Sequence, residues 1–371
     1  MKYSCEKHVL QSAISIAARA VASKSPNQAL EGILISAGSQ LTLTGYDLKK
    51  GIYTTVDAEV EQGGEVVVNA RLFGEMIRRM PDGIVSFTAQ DNNNVHIKCG
   101  KSEVNFVGVS AEDFPELSAV DTINEISIPQ KILKNMINQC IFAVSDNDIR
   151  PIYTGILFEI EEDELTLVAV DGYRLAKRRE KIEAGRMENC KFVVPGNSLN
   201  DVERICGDTD ELVSISVGGR HISFTIGNTV VVSRRLEGEF LNYRKSIPES
   251  FRYTLTVERT ELLSAIERVA LIINEKNSSP VRMTMNMGNI YCLCVTPLGK
   301  AEDICICEGS GEGMEIGFND RYFSDALKAA SGKEKLKICL NSPSSPCVIT
   351  AADGSDNFTY MILPVRLRAA D

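Results

Sequence analysis

The sequence predicts an α+β protein of three similar domains, each with two helices packed on antiparallel sheet. The chain has 371 residues, which suits two or three domains. Short patterns recur along it at a long, regular interval, and helical and strand patterns follow each other in the same order three times. With 44% hydrophobic and 24% charged residues, the composition is typical of a globular protein.

The repeat is clearest in a strand followed by a turn. Leu41-Thr42-Leu43 precedes Asp47, and Leu165-Thr166-Leu167 precedes Asp171, at the same offset in both pieces. Each copy is long enough to bury its own core, so the period indicates a triplicated domain rather than a solenoid. Similar copies in series tend to continue a curve or close a ring, if need be through self-association. The predicted domains span residues 1–123, 124–250 and 251–371.

Each repeat opens with a helix, and the N-terminus is expected to enter the first one directly. Apolar residues at three- and four-residue spacing predict these opening helices, within residues 6–24, 129–142 and 259–274. A second helix follows a strand and a turn in each repeat, as where Val66-Val67-Val68-Asn69 precedes Leu72-Phe73. The second helices are expected within residues 70–80, 196–207 and 321–333. Alternating runs such as Val85-Ser86-Phe87-Thr88 predict antiparallel meanders between the helices.

Composition excludes several classes of protein. No apolar run of about 18 residues or signal-peptide core occurs, so a cytoplasmic protein without membrane contact is expected. The 11 cysteines are odd in number and form no C-x-x-C pair, which fits neither a disulfide framework nor a zinc ribbon. We expect free thiols, with Cys292 and Cys294 on one sheet face and Cys305 and Cys307 likewise.

Catalytic chemistry has no support in the sequence. His8, His96 and His221 lie in no metal-ligand spacing, and no phosphate-binding glycine loop occurs. The glycine-rich stretch 309–313 and the acidic pair Glu161-Glu162 both lie where turns are predicted. We therefore expect no catalytic residue, no metal and no cofactor.

Charge is distributed unevenly along the chain. The formal net charge is −10, yet the six predicted helical segments together carry +7 and the remainder −17. Such a protein could present basic helices to a phosphate backbone while its outer surface stays acidic. The alternative is that helices collect Lys and Arg as good helix formers, and two of the six lack the bias. Any contact with DNA would be to phosphates and independent of sequence.

Four ordered motifs together resemble the bacterial sliding clamps, the beta subunits of DNA polymerase III. They are Val170-Asp171-Gly172-Tyr173-Arg174-Leu175, the run 237–244, Asn274-Glu275-Lys276 and Leu363-Pro364-Val365-Arg366-Leu367. The resemblance spans the chain and implies a ring-forming clamp fold in which two head-to-tail copies encircle duplex DNA, helices inward and sheets outward. It implies a non-catalytic processivity factor. The implied partners are double-stranded DNA, a second copy of the chain, the DNA polymerase III alpha subunit, the clamp loader, and other proteins with clamp-binding motifs such as repair polymerases, mismatch repair proteins and ligase.

The resemblance also implies a pocket for short peptides with apolar ends, between the second and third domains. We call the residues that correspond to it the candidate pocket: Tyr153, Val170, Gly172, Tyr173, Arg174, Leu175, Leu241, Ser246, Asn319, Tyr322, Met361, Leu363, Pro364, Val365 and Arg366. Tyr173 replaces a frequent His, Leu241 a frequent Pro and Val365 a frequent Met, which affects the expected rank order of peptides. The tail Arg368-Ala369-Ala370-Asp371 extends past the usual end. We expect the tail to lie beside the pocket and to alter binding modestly, which an unchanged affinity after its removal would refute.

Two further sets of residues follow from the resemblance. The expected DNA contacts are Lys24, Arg71, Arg78, Arg79, Lys131, Lys134, Asn147, Arg150 and Tyr153. The expected apolar centre of the subunit junction pairs Phe106 and Val109 with Leu271 and Ile272. The main alternative is a scaffold of the same fold that binds peptides without encircling DNA. An enzyme is the second alternative, for which bound metal would be the simplest test.

Overall fold

A computed structural model describes residues 1–182, 189–274, 279–355 and 357–367. The described residues form two compact units. The first contains residues 1–134 and 197–235, and the second contains 135–182, 189–196 and the described residues from 236 onward. The tail 368–371 and part of the Asn274-Glu275-Lys276 motif lie outside the described residues.

Six α-helices occur in the described residues, two in each repeat. They are α1 Lys7–Ala17, α2 Ala70–Arg79, α3 Gln130–Ile141, α4 Gly196–Ile205, α5 Arg259–Ala270 and α6 Asp320–Ala329. Asn69 caps α2, because its side chain accepts a hydrogen bond from the Leu72 amide at 3.0 Å. Short 3₁₀ turns cover Ala18–Ala20, Gln28–Glu31, Ala111–Asp113, Pro151–Thr154 and Tyr243–Lys245. None of the described helices is long and apolar enough to cross a membrane.

Strands make up most of the remaining described structure. In the first repeat they are β1 Lys2–Glu6, β2 Gly32–Ala37, β3 Leu41–Tyr46, β4 Lys50–Val56, β5 Glu59–Gln62, β6 Gly64–Asn69, β7 Ile84–Ala89, β8 Asn94–Cys99 and β9 Ser102–Val107. In the second they are β10 Thr122–Pro129, β11 Gly155–Glu161, β12 Glu164–Val170, β13 Arg174–Lys181, β14 Cys190–Pro195, β15 Leu212–Gly218, β16 His221–Ile226 and β17 Thr229–Arg234. In the third they are β18 Tyr253–Glu258, β19 Val281–Met285, β20 Asn289–Thr296, β21 Gly299–Glu308, β22 Met314–Phe318, β23 Lys335–Leu340, β24 Cys347–Ala351 and β25 Phe358–Ile362.

The first unit contains two antiparallel sheets. One has the order β5-β1-β7-β8-β9, and the other has the order β10-β15-β16-β17-β4-β3-β2-β6. One core lies between helices and sheet, where Leu10 and Ile14 of α1 and Phe73 and Ile77 of α2 are buried with Phe87 of β7. The helical periodicity of the sequence thus corresponds to the buried helix faces.

The second unit contains one long sheet of order β14-β11-β12-β13-β25-β24-β23-β18-β21-β20-β19-β22. The middle repeat contributes strands to both units, because its β17 pairs with β4 and its β13 pairs with β25. Continuous sheets therefore cross the predicted repeat boundaries, and the compact units divide within the middle repeat. The α+β class with helices on antiparallel sheets is confirmed.

The predicted start of each repeat was wrong in one respect. A strand precedes the first helix each time, namely β1, β10 and β18. In β1, Tyr3 and Cys5 are buried while their neighbours face outward, and the strand pairs with both β5 and β7. The first helix also ends earlier than expected, because α1 gives way to a 3₁₀ turn and Val21 is extended.

The eleven cysteines are free thiols, and all except Cys190 are buried. Cys292 and Cys294 share one face of β20, and Cys305 and Cys307 share one face of β21. Burial raises the pKa of the Cys292 and Cys305 thiols to about 12. These thiols are therefore protonated and unreactive at neutral pH.

Candidate functional site

All fifteen residues of the candidate pocket belong to the second unit. The turn between β12 and β13 arranges the central ones. Asp171 accepts hydrogen bonds at Oδ1 from the amides of Tyr173 and Arg174, at 2.9 and 3.0 Å. Gly172 has a φ of +93°, which favours glycine in this tight turn. The turn exposes 61% of Tyr173 and leaves the Arg174 side chain only 11% exposed.

Arg174 connects this turn to α6. Its Nε lies 2.9 Å from Oδ2 of Asp171, and its Nη1 lies 2.6 Å from Oδ2 of Asp325. The guanidinium carbon is 4.5 Å from the ring centre of Tyr322 and 5.3 Å from that of Phe142. A planar guanidinium can form two ion pairs and two ring contacts at once, whereas a lysine cannot.

An aromatic surface follows from this arrangement. The rings of Tyr173 and Tyr322 stack with centres 6.0 Å apart and planes 22° apart. Asn319 caps α6, accepting hydrogen bonds from the amides of Arg321 and Tyr322 at 3.0 and 3.2 Å, and so orients Tyr322. Burial raises the pKa of the Tyr322 phenol, and the Asp171 charge acts in the same direction. The Tyr322 phenol is therefore uncharged at neutral pH.

The segment after β25 forms the adjacent wall. The Leu363 amide donates to the carbonyl of Tyr173, and the Val365 amide donates to that of Gly317, both at 2.8 Å. A side chain at Gly317 would place its Cβ 2.5 Å from Cδ2 of Leu367 and 3.0 Å from the carbonyl oxygen of Val365. The segment thus needs a glycine beneath it. Leu363 and Val365 remain 36% and 40% exposed, so apolar surface is offered to a ligand.

Buried residues lie beneath these walls. Leu175 and Met361 are directly paired between β13 and β25 and belong to one apolar cluster. Val170 is 5% exposed. Tyr153 packs on the cluster and meets Phe240 edge-on, with ring centres 5.5 Å apart. Pro364 is half-buried and Arg366 is exposed.

The chain between β17 and β18 carries Leu241, which is 38% exposed, and Ser246, whose amide donates to the Tyr243 carbonyl at 3.0 Å. This segment is held by Glu159 of β11, which is 2% exposed and accepts from the Tyr243 hydroxyl and from Nη2 of Arg244. Burial by itself would raise the pKa of Glu159. The hydrogen bonds and charges of Lys191, Tyr243 and Arg244 outweigh that effect, so the pKa lies below its ordinary value. Glu159 is therefore a buried anion that anchors the segment.

A cleft of about 370 Å³ continues from the candidate pocket. Asn319 and Val365 line both. The other lining residues are Ile273, Asn274, Ser279, Pro280, Asp320 and Arg321. Neither these nor Asp325, Phe142, Phe240 and Gly317 were predicted as pocket residues from the sequence, although Asn274 and Phe240 lie within the family motifs. For Asp325 the repeat offered a signal, because it is the sixth residue of α6 and Asp201 is the sixth residue of α4.

The expected DNA contacts divide between the units. In the first, Lys24 and Arg71 are exposed, and neither has a side-chain partner among the described residues. Arg78 and Arg79 both form ion pairs with Oε2 of Glu75, from Nη2 at 2.7 Å and from Nε at 3.2 Å respectively. Lys131 pairs with Asp210 at 2.6 Å, and Lys134 pairs with Asp208 at 3.0 Å. Acidic partners thus offset much of the basic charge on α2 and α3.

The remaining DNA candidates lie in the second unit. Arg150 is exposed, and its guanidinium carbon lies 6.0 Å from the ring centre of Tyr153. The Asn147 side chain accepts a hydrogen bond from the Ile149 amide at 2.9 Å. Asn147 therefore shapes its own loop, while Arg150 presents a charge to solvent.

The expected junction residues differ in exposure. Leu271 is 81% exposed, whereas Phe106 and Ile272 are half-buried. Val109 bridges to Val67 by two backbone hydrogen bonds and packs on an internal cluster. Val107, not identified from the sequence, is 71% exposed at the end of β9. It lines a second cleft of about 370 Å³ together with Gln90, Asn94, Val95, His96, Asn105 and Phe106.

Three repeats of two helices on antiparallel sheet, joined edge to edge by their strands, define a DNA clamp fold. Models of the DNA polymerase III beta subunit match its N-terminal, central and C-terminal domains at residues 1–118, 127–242 and 244–366. The beta sliding clamps of Bacillus subtilis and Synechococcus elongatus are each 30% identical to the chain, over 99% and 100% of it and all of their own length. The solved clamp of B. subtilis superposes with a TM-score of 0.94 at 29% identity, covering 99% of this chain and 100% of that one.

The chain belongs to the DNA polymerase III beta subunit family, the bacterial DNA sliding clamps. Its function is accordingly that of a sliding clamp in DNA replication, a non-catalytic processivity factor.

Proposed function

We propose that two copies of this chain form a head-to-tail ring that encircles duplex DNA and tethers a replicative polymerase to it. Each copy contributes three domains, residues 1–123, 124–250 and 251–371, a division into three that the family models support, although the third model begins at residue 244. The helices face the DNA and the sheets face outward. Contacts are to phosphates, so the clamp slides without a preferred sequence.

One observation carries this proposal: two strand pairings of the same kind join successive repeats. Ser233 of β17 pairs with Lys50, the first residue of β4, and Ile362 of β25 pairs with Arg174, the first residue of β13. The corresponding strands β9 and β21 lack such a pairing in the described structure: β9 pairs with β8 alone, and β21 pairs with β18 only at its last two residues. A second copy would supply the missing pairing for both strands, which closes a ring.

We further propose that the candidate pocket binds short peptide segments with apolar residues. Exposed apolar side chains, a stacked aromatic pair and a few hydrogen-bonding groups are typical of such sites. The expected ligands are segments of the DNA polymerase III alpha subunit, the clamp loader and other proteins with clamp-binding motifs, in the cytoplasm. The chain would then be a shared platform, and its partners would compete for one pocket.

The alternative is a scaffold that binds the same peptides without encircling DNA. The pairing of basic residues with Glu75, Asp208 and Asp210 favours it to a limited degree. A ring needs no strong DNA affinity, however, because a closed circle is held by topology. Retention on DNA therefore separates the two functions better than affinity does.

The test is retention of labelled protein on nicked circular plasmid, compared with the same plasmid linearised, after loading by a matching clamp loader. High salt removes phosphate contacts but cannot remove a closed ring from a closed circle. We expect retention on the circle and loss from the linear form. Equal loss from both, with a control clamp that loads under the same conditions, would establish the scaffold function instead.

A further inference from the structure

Each of the two internal junctions contains an ion pair at equivalent positions. The cation is the first residue of β4 or β13, the strands that pair with the following repeat. The carboxylate belongs to the sixth residue of a ten-residue helix in that following repeat. Lys50 of β4 pairs with Asp201 of α4, and both side chains are buried. Arg174 of β13 pairs with Asp325 of α6 at 2.6 Å.

The hairpin before β21 has a different residue in the cation's place. In the first repeat, the strands of the hairpin begin to pair at Tyr46 and Gly51, and Lys50 immediately precedes Gly51. In the second, they begin to pair at Val170 and Leu175, and Arg174 immediately precedes Leu175. The corresponding first pair in the third repeat is Thr296 with Gly299, which Leu298 precedes. Leu298 is 68% exposed, so an exposed apolar side chain stands where the other two repeats have a cation.

Apolar residues also occupy the two neighbouring positions. The third residue of the second helix is Ser198 in α4 and Tyr322 in α6, but Leu72 in α2, where it is 43% exposed. In the second repeat, Phe142 is the residue that follows the first helix, α3, and its ring lies against Arg174. The same place after α5 is held by Leu271, 81% exposed. Exposed leucines thus occupy three positions that hold Lys50 or Arg174, Ser198 or Tyr322, and Ala18 or Phe142 in the repeats that form the internal junctions.

The carboxylate position in the first repeat is Glu75, the sixth residue of α2. Its charge is already balanced on its own helix by Arg78 and Arg79, and these pairs lower the pKa of Glu75. Glu75 therefore needs no cation from another chain. This agrees with a leucine, rather than a lysine or arginine, at position 298.

We propose that Leu72 of one copy packs against Leu271 and Leu298 of a second copy, so that an apolar contact replaces, between copies, the ion pair found at both internal junctions. The inference rests on the proposed head-to-tail ring. Its physical consequence is a junction that salt does not weaken, because screening acts on charges while apolar burial is unaffected or strengthened. The two internal junctions are covalently continuous, so the apolar one is the place where the ring separates.

The test compares the dimer dissociation constant of the full chain with that of Leu72→Asp and Leu298→Asp, by sedimentation equilibrium. Both variants should fold. Position 72 is in the first turn of α2, where an acidic residue is favourable, and Leu298→Asp creates a Pro-Asp-Gly turn. Leu48→Asp is the matched control, because Leu48 is 58% exposed in the hairpin turn before β4 and has a positive φ that Asp tolerates. A substitution enters both junctions of a two-copy ring, so we expect each variant to raise the dissociation constant at least about 100-fold.

The outcomes are distinct. Dimers of the two variants as tight as wild type, or a control as weak as the variants, would overturn the apolar junction and leave the ring intact. A wild-type chain that stays monomeric and does not load on DNA would overturn the ring, and the inference with it. Wild-type dimers that weaken more than about tenfold between 0.05 and 1 M NaCl would also contradict an apolar junction. As a direct check of proximity, we expect a bismaleimide to crosslink Leu72→Cys to Leu271→Cys in a mixture, but neither variant to itself.

Discussion

Arg174 donates from Nη1 to Oδ2 of Asp325 at 2.6 Å and thereby joins the turn before β13 to α6. The two residues lie 151 positions apart in the sequence. The same guanidinium lies over the ring of Tyr322, which stacks on Tyr173. The aromatic surface of the candidate pocket therefore depends on one largely buried cation.

Replacing Arg174 with Ala should weaken the binding of a peptide with Leu and Phe anchors by more than about tenfold, since the variant loses two ion pairs and the ring contact that orients Tyr322. Arg174→Lys should recover little of this affinity, because an ammonium cannot make both ion pairs and the stack. Fluorescence anisotropy of a labelled peptide measures the effect. Arg252→Ala is the matched control, since Arg252 pairs with Glu312 at 3.2 Å and stacks on Tyr253 but is exposed. Wild-type affinity in Arg174→Ala would contradict the role given to this residue.

Gly317→Ala should displace the segment that carries Leu363 and Val365. The added Cβ would lie 3.0 Å from the Val365 carbonyl oxygen and closer still to Leu367. The backbone at Val365, whose amide donates to the carbonyl of residue 317, must therefore shift. We expect weaker peptide binding with little change in the thermal midpoint, because the displaced segment is half exposed. Gly332→Ala is a suitable control, since a Cβ there has nothing within 4 Å. Peptide titration and thermal unfolding of both variants test this, and equal affinities would refute it.

Glu159→Gln should lower the free energy of unfolding by about 1 to 3 kcal/mol at pH 7, because it removes the anion that receives Tyr243 and Arg244. The lowered pKa sets the pH dependence. The folded chain holds Glu159 ionised below the ordinary value of 4.5, so its stabilisation is present above that value and is lost as pH falls through the lowered pKa. The difference between wild type and variant should therefore shrink towards pH 4.

Urea denaturation across this pH range measures the difference. Glu161→Gln is the control: Glu161 also contacts Arg244, at 2.8 Å, but is 45% exposed, and its loss should cost less than about 1 kcal/mol. A constant difference between wild type and Glu159→Gln from pH 4 to 8 would show that the charge of Glu159 is not what anchors the segment.

Arg71→Ala should reduce the salt dependence of binding to short duplex DNA more than Arg78→Ala. Each phosphate contact contributes about 0.9 to the slope of log K against log salt. Arg71 is exposed and has no acidic partner in the described part of the chain, whereas Arg78 shares Glu75 with Arg79. Anisotropy titrations at several salt concentrations give the slopes. Lys98→Ala, on β8 and paired with Glu103, should leave the slope unchanged, and identical slopes for Arg71→Ala and Arg78→Ala would contradict the prediction.

Much of the fold was predictable because the repeat is visible in local patterns. The helices α2, α4 and α6 follow from apolar spacing after a strand, and Asn69 and Asn319 mark two of their starts. The opening strands were missed because β1 is five residues long and runs directly into α1. Two alternating buried residues, Tyr3 and Cys5, are too short a signal beside a strong helical pattern.

The sequence by itself determined the triplicated α+β architecture, the absence of recognisable catalytic motifs and the motifs that carry the family resemblance, because all of these are local or periodic. The tertiary structure decided which charges meet. Lys131 is paired with Asp210, Arg174 with Asp325 and Glu159 with Arg244, over separations of 79, 151 and 85 residues. Arg174 and Asp325 belong to different repeats, and the partners in the other two pairs lie far apart within the middle repeat, so no local pattern encodes these contacts. The physical reason is that a charge removed from water, as Glu159 is, needs a partner close to it in space, and only the folded chain brings these partners together.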